Sequence, residues 1–271
     1  MPHGYPAASN TNVRPYFIEH MNSPEISIVI PTYNSEAFVE ASLRTLCAFL
    51  ETNDAPWGSS EIVVVDDGST DRTAEIVQQE FPNLQLLIQP QNQGKGAAVR
   101  RGMTAATGRY RFFIDADIPF SLEVLPSMYT YLAVKEFDLC IGTRRAQNAH
   151  EFARPSRLRR LSSALFTLFV SRLVVTGVRD TQCGLKGLRA EAANYLFREC
   201  RTNGFAFDVE ILYLAYKNDL DVKRHPVNLV RNDSSTVSVF RQAPKMLFSV
   251  LLLPIRYYGG RYTMMQSENG A

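Results

Sequence analysis

Five short apolar runs, each followed by a polar turn and then a helical pattern, constrain what this chain can fold into. They are ISIVI (26–30), EIVVV (61–65), LQLLI (84–88), RYRFFI (109–114) and FDLCIG (137–142). A short strand that is apolar on both faces needs cover on both faces, as in a parallel sheet packed between helices. The segments 36–50, 71–80, 95–106 and 121–134 carry the apolar spacing of helices. Repeated β-then-α units predict an α/β protein with a doubly wound, mostly parallel sheet. Ligands of such sheets lie at the carboxyl ends of the strands.

The polar signatures fall at those ends. PTYNSE follows the first run, DDGSTD the second, and the fourth leads into DAD, with Asp115 and Asp117 one residue apart. Along extended chain, residues i and i+2 point to one side, so the two carboxylates converge. Like charges there repel unless a cation or donors lie between them. A divalent ion holding a diphosphate meets that need, because hard carboxylate oxygens suit Mg2+ or Mn2+. A solvated acidic loop is the plainer explanation, but the strongly apolar strand before it favours a site. In VVVDDGSTDRT (63–73), a tight turn at Gly68 and a helix cap account for Gly68 to Asp71. They leave Asp66 unaccounted for, and a carboxylate there can accept from a nucleobase or a ribose hydroxyl. NQGKGAAVRRGM (92–103) starts a helix with Lys95 between glycines. It matches neither common phosphate-loop pattern. Either close packing or an anionic ligand at the helix start explains it.

The chain has 271 residues, 45% of them hydrophobic, enough for one large core. A formal net charge of +2 argues against nucleic acid as a partner. Cys47, Cys140, Cys183 and Cys200 form no metal-binding or disulfide pattern, which fits a reducing compartment. The first two dozen residues are polar, so neither signal peptide nor anchor is expected within them. No apolar stretch reaches about 18 residues, so no transmembrane span is expected. Two apolar stretches, 161–175 and 246–255, suit buried core helices or a membrane-facing surface equally. The basic run around Arg144, Arg145, Arg154, Arg157, Arg159 and Arg160 adjoins the first of them, which tips the balance toward an anionic membrane interface. No linker divides the chain. One domain is expected over 25–263, in two halves, 25–143 and 144–263, between a polar segment 1–24 and a tail 264–271.

Taken in order, VIPTYNSE (29–36), VVVDDGSTDRT, NQGKGAAVRRGM and FIDADIPF resemble the family-2 glycosyltransferases of GT-A fold. GTRR, RDTQCGLKGL (179–188) and GFAFDVEILYLA (204–215) resemble the branch acting on polyprenyl phosphates, the dolichyl-phosphate glucosyltransferases and mannose synthases. The resemblance covers about 25–260 and implies that 25–143 is a nucleotide-sugar-binding half and 144–263 an acceptor-binding and membrane-facing half. It implies a Rossmann-like GT-A sheet with C-terminal amphipathic helices, and an inverting, metal-dependent transfer of a hexose to polyprenyl or dolichyl phosphate. UDP-glucose is the favoured donor. It also implies roles. Pro31, Tyr33 and Glu36 would line the nucleoside pocket, with Asp66 near the base and Asp67, Lys95 and Ala116 in the donor site. Asp115 would approach the ribose or diphosphate, and Asp117 would bind Mg2+ or Mn2+. Arg144, Arg157, Arg159 and Arg231 would meet the acceptor and donor phosphates. Asp180, Gln182, Asp208 and Glu210 would surround the sugar and acceptor, and the catalytic set would be Asp117, Asp180, Asp208 and Arg144. The implied location is the cytoplasmic face of a membrane, peripherally bound.

Some positions depart from the pattern. Pro119 stands where mannose synthases commonly carry a metal-binding glutamine, which weakens a mannose reading. NDSSTVS (232–238) lacks the Ser-Lys of many relatives. Other readings are a GDP-mannose enzyme, a soluble transferase acting on a glycan hydroxyl, and a nucleotide-sugar-binding protein without catalysis.

Overall fold

The computed structural model describes residues 23–51, 55–144, 183–230 and 239–265, with the side chains of the last helix from 245 onward. The five apolar runs form β1 (Ile26–Thr32), β2 (Ser60–Asp66), β3 (Gln85–Ile88), β4 (Tyr110–Ile114) and β5 (Leu139–Arg144). Between them lie α1 (Val39–Leu50), α2 (Thr73–Glu80), α3 (Lys95–Ala105) and, after a 3-10 turn over Leu122–Val124, α4 (Leu125–Ala133). The second half adds β6 (Leu185–Arg189), α5 (Ala190–Glu199), α6 (Phe207–Lys217), β7 (Val222–Val227) and α7 (Val239–Tyr258).

The seven strands make one sheet in the order β3-β2-β1-β4-β6-β5-β7. β1 pairs in parallel with β2 and β4, β2 with β3, and β5 with β7. β6 is antiparallel to both β4 and β5, so those two run the same way. The mostly parallel sheet agrees with the expectation. β6 was not foreseen as a strand: LKGLR is short, charged and interrupted by glycine. Gly187 is nonetheless required, because a Cβ there would press on the Phe112 ring. β6 also makes the sheet continuous across the two halves of the chain.

Alternation along the strands builds two cores. Ile28, Ile30, Val64, Phe112 and Ile114 face α1, α2 and α4 through Leu43, Leu46, Val77, Met128 and Leu132. Val29, Val63, Val65 and Phe113 face α3, α5 and α6 through Val99, Met103, Leu196, Phe207 and Ile211. Both faces are therefore covered, as doubly apolar strands require. At one edge, β7 carries Lys223, Arg224 and Pro226, residues that discourage pairing with another chain. The last helix has two sides. Val250 and Leu253 are buried against Ala206, Val209 and Tyr213, while Phe248, Leu251, Ile255 and Tyr258 are exposed. The apolar stretch 161–175 lies outside the described residues. Among those residues, no helix is long and apolar enough to cross a membrane.

Candidate active site

The strand directions place the carboxyl ends of β1, β2, β4 and β5 on one edge of the sheet, and the site is built there. The turns after β1 and β2 are stitched together. Asn34, with φ of +49°, donates its backbone N–H to Ser69 Oγ at 2.9 Å and accepts from the Thr70 N–H at 2.9 Å. Ser35 N–H donates to Thr73 Oγ1 at 2.7 Å. Across the gap, Glu36 N–H donates to Asp71 Oδ2 and Arg72 N–H donates to Glu36 Oε2. Burial would push the Asp71 carboxyl up, but bonds from Thr73 and the Glu36 backbone hold it below the usual carboxylate range. This framework leaves Pro31 half-buried and Tyr33 46% exposed over the end of β1.

Asp66 and Asp67 are both buried at the end of β2. Asp66 accepts from the backbone N–H and the hydroxyl of Ser69, closing the turn at Gly68. Gly68 has φ of +70°, as the tight turn requires. Asp67 accepts from Gln89 Nε2 and from the N–H groups of Gln93 and Gly94 at 2.8 Å each. It thereby fixes the start of α3 and the direction of Lys95. The glycines around Lys95 serve close packing: a Cβ on Gly94 or Gly96 would collide with the carbonyl oxygens of Asn203 or Thr202.

The acidic pair at the end of β4 meets Lys95. Its ammonium stands 2.5 Å from Asp115 Oδ1, both side chains being largely buried. Burial works against the Lys95 charge, but Asp115, Asp208 and Asp117 outweigh it and raise its pKa above the usual lysine value. Asp115 N–H donates to Gly184 O at 3.0 Å. Gly184 lies so close to the Asp115 carboxylate that no Cβ fits between them. Ala116 is buried and Asp117 half-exposed. The turn closes with Ile118 N–H on Asp115 O, and Ile118 adopts φ of +40°. That is an outlying conformation for a β-branched residue, of a kind concentrated at functional sites. A groove of about 370 Å³ opens beside Asp117, between Ala41, Ser42 and Thr45 of α1 and the segment Ile118–Glu123. Beyond it, Val230 N–H bonds Pro119 O, so Pro119 is a backbone anchor that delivers the chain to residue 230 beside the site.

Beneath this cluster lies a second pair. Lys186 Nζ donates to Asp208 Oδ1 at 2.6 Å and to Cys183 O at 2.8 Å. Their side chains are 1% and 4% exposed. Burial pushes the Asp208 carboxyl up, against the pull of Lys186 and Lys95. Asp208 thus lies buried beneath the acidic pair, in contact with Lys186. Glu210 corrects the expectation of an acceptor contact. It is fully buried, and it accepts from Tyr262 Oη at 2.5 Å, Thr202 N–H at 2.7 Å and Cys200 Sγ at 3.3 Å. Its charge ties the chain after α7 to α6 and has no open face. Arg144 is exposed at the end of β5, on the same sheet edge as Asp115. Two strand spacings from β4, that is about 10 Å. Arg157, Arg159, Asp180, Gln182 and Arg231 lie outside the described residues. Lys186 and Gly184 are the site residues that sequence reasoning missed. The one available signal was a lysine inside an apolar GLKGL stretch, where an unpaired charge would not be tolerated.

Divalent-ion chemistry fits these residues. Lys95 already compensates Asp115, and Asp117 offers hard oxygen at the more open position. Among the described residues, no cluster of three metal-binding side chains forms. Mg2+ commonly keeps waters and phosphate oxygens in its shell and is held by one or two carboxylates.

Comparison with known proteins agrees. The family model for glycosyl transferase family 2 matches residues 27–197. The dolichyl-phosphate beta-glucosyltransferase of Dictyostelium discoideum is 31% identical over 91% of this chain and 80% of its own length. Those of Saccharomyces cerevisiae and Homo sapiens are 31% and 28% identical, over 92% and 90% of this chain and 80% and 79% of theirs. Among solved structures, glucosyl-3-phosphoglycerate synthase from Mycobacterium tuberculosis, in complex with Mn2+, UDP and glucosyl-3-phosphoglycerate, superposes with a TM-score of 0.62 at 20% identity. The match covers 92% of this chain and 83% of that one. A second structure of that enzyme, with Mg2+ and UDP, gives the same score. At that identity the likeness establishes the GT-A fold. The chain belongs to glycosyl transferase family 2, and is a glycosyltransferase.

Proposed function

We propose that this enzyme transfers glucose from UDP-glucose to a polyprenyl phosphate of the dolichyl type, inverting the anomeric centre. The observation that carries this reading is the placement of Asp115, Asp117, Lys95 and Arg144 on one sheet edge. The names of relatives matched along most of the chain, dolichyl-phosphate beta-glucosyltransferases, favour the sugar and the acceptor. The UDP held by the structural neighbour favours the base.

In this reading Pro31, Tyr33, Glu36 and Asp66 shape the nucleoside pocket, and Asp67 and Ala116 set its floor. Lys95 faces the diphosphate, with Asp115 beside it. Asp117 holds Mg2+ or Mn2+, which when bound neutralises charge on the leaving nucleotide. The acceptor phosphate is largely dianionic at neutral pH, its second pKa lying near 6. It attacks without a strong general base, which a sugar hydroxyl would need. Catalysis is then orientation and electrostatics, with Arg144, Arg157, Arg159 and Arg231 relieving repulsion between two anionic substrates. Asp180 and Gln182 orient the sugar. The exposed apolar side of α7 and the basic segment after Arg144 suit a membrane surface carrying the lipid acceptor, on its cytoplasmic face.

The test is transfer with UDP-glucose, UDP-galactose, UDP-N-acetylglucosamine and GDP-mannose, each with a short polyprenyl phosphate and with free oligosaccharide. Turnover with UDP-glucose and lipid phosphate is expected. Preference for GDP-mannose, or transfer to oligosaccharide alone, overturns the assignment.

A further inference from the structure

Lys186 is a buried charge that the reaction outlined above does not use. It is the second residue of β6, with its ammonium over the Phe113 ring, 5.1 Å from the centroid. A lysine in such a place is retained only with a partner, and Asp208 supplies it. The two pairs are close: Lys95 lies over the ring of Phe205, just before Asp208 in the chain, 5.8 Å from its centroid, and Gly184, just before Lys186, abuts the Asp115 carboxylate, so Asp208 also feels Lys95 and Asp115. Among the described residues, Lys186 stands with Asp208 and Lys95 with Asp115, and Lys95 also feels the Asp117 carboxylate.

We infer that Lys186 is a positioning residue of the donor site, neutralising Asp208 so that Lys95 stays with Asp115 and points at the diphosphate. Without Lys186, an uncompensated carboxylate lies below Lys95, in a medium where charge attraction is stronger than in water. Lys95 then turns toward Asp208, and Asp115 regains its repulsion with Asp117 at the place where the donor enters. Lys186 acts on the donor through Lys95, not by contact. This inference rests on the UDP-sugar reading of the same site.

The experiment is calorimetric titration of UDP with Mn2+ into the full chain and its variants, with thermal melting as the folding control. Lys186→Met is expected to weaken UDP binding by about 30-fold while KM for lipid phosphate changes little. Lys95→Met/Lys186→Met should bind no worse than Lys95→Met within about 3-fold, because the second change acts through a group already lost. A structural role would instead make the two effects multiply, and that result overturns the inference, as does wild-type UDP affinity in Lys186→Met. Should Lys186→Met not fold, Lys186→Met/Asp208→Leu carries the test, since removing both members of a buried pair is often tolerated. It is expected to bind UDP within about 5-fold of wild type, Lys95 keeping Asp115. A loss as large as that of Lys95→Met overturns the inference. Failure of the wild-type chain to bind UDP overturns the donor reading and this inference together.

Discussion

Asp117 leaves β4 two residues after Asp115, on a turn held by Ile118 in an outlying conformation. The two carboxylates have different surroundings: Lys95 lies against Asp115, and Asp117 lines the open groove. Changing Asp117 to Asn keeps the shape and removes the charge. Asp117→Asn is expected to abolish transfer, about 100-fold or more, and to weaken metal-dependent donor binding, with melting unchanged. Full activity of this variant, or of the wild type in excess chelator, would refute a metal role. At this scale the acids were legible because like charges at the end of an apolar strand demand a reason. What met them was only half legible. Lys95 could be singled out at a helix start, but its reach to Asp115 depends on Asp67 holding the Gln93 and Gly94 amides. Ile118 and Gly184 carry no composition signal, since their roles lie in a backbone angle and a close approach.

The first five strands were legible because each buries both faces, and burial imposes a run that composition reveals. β6 was not, because its pairing with β4 and β5 supplies what its own sequence lacks. Glu210 shows the converse error. An acid in a family-like motif is expected at the substrate, yet α6 turns it inward to a chain segment far along the sequence. Tyr262, pushed above the usual phenol value by burial and by Glu210, donates to that carboxylate. Tyr262→Phe is expected to cost about 1.5–3 kcal/mol, the range for a hydrogen bond to a charged group, read from denaturant unfolding. Near-wild-type stability would mean that Thr202, Cys200 and Arg256, 3.8 Å from Glu210, suffice without the phenol. The last helix poses a question of its own: its outer stripe of Phe248, Leu251, Ile255 and Tyr258 is exposed, with Lys245 and Arg261 exposed nearby. Flotation is expected to recover the protein with anionic vesicles, and less of it at high salt, where screening shortens from about 8–10 Å at physiological ionic strength. Loss of flotation in Phe248→Ser/Ile255→Ser would place the contact on this helix. No flotation with any lipid composition would rule out a membrane-facing role.

For the molecule as a whole, the problem is to bring two anions together. A lipid phosphate must reach the anomeric carbon of a sugar still joined to its nucleotide diphosphate, and repulsion between the two anions in a partly dehydrated site costs several kcal/mol by the distance and dielectric dependence of Coulomb's law. In the proposed reaction, Lys95 and Asp117 serve the donor at the β4 edge. The antiparallel β6 separates it from β5, whose last residue is Arg144. The ends of β4 and β5 are therefore about two strand spacings, or about 10 Å, apart. A planar guanidinium grips phosphate with two bonds where an ammonium is a point charge. Arg144→Lys is thus expected to lower transfer to a short polyprenyl phosphate by about 10-fold or more and leave UDP affinity within about 2-fold, a change in one substrate's binding alone. Arg145→Lys, one residue on and outside the described residues, is expected to matter less. Radiolabelled transfer beside calorimetric donor titration separates these outcomes. Normal transfer by Arg144→Lys, or equal loss of donor and acceptor affinity, would move the acceptor arginine to Arg154, Arg157 or Arg159, in a segment whose basic character is legible from sequence.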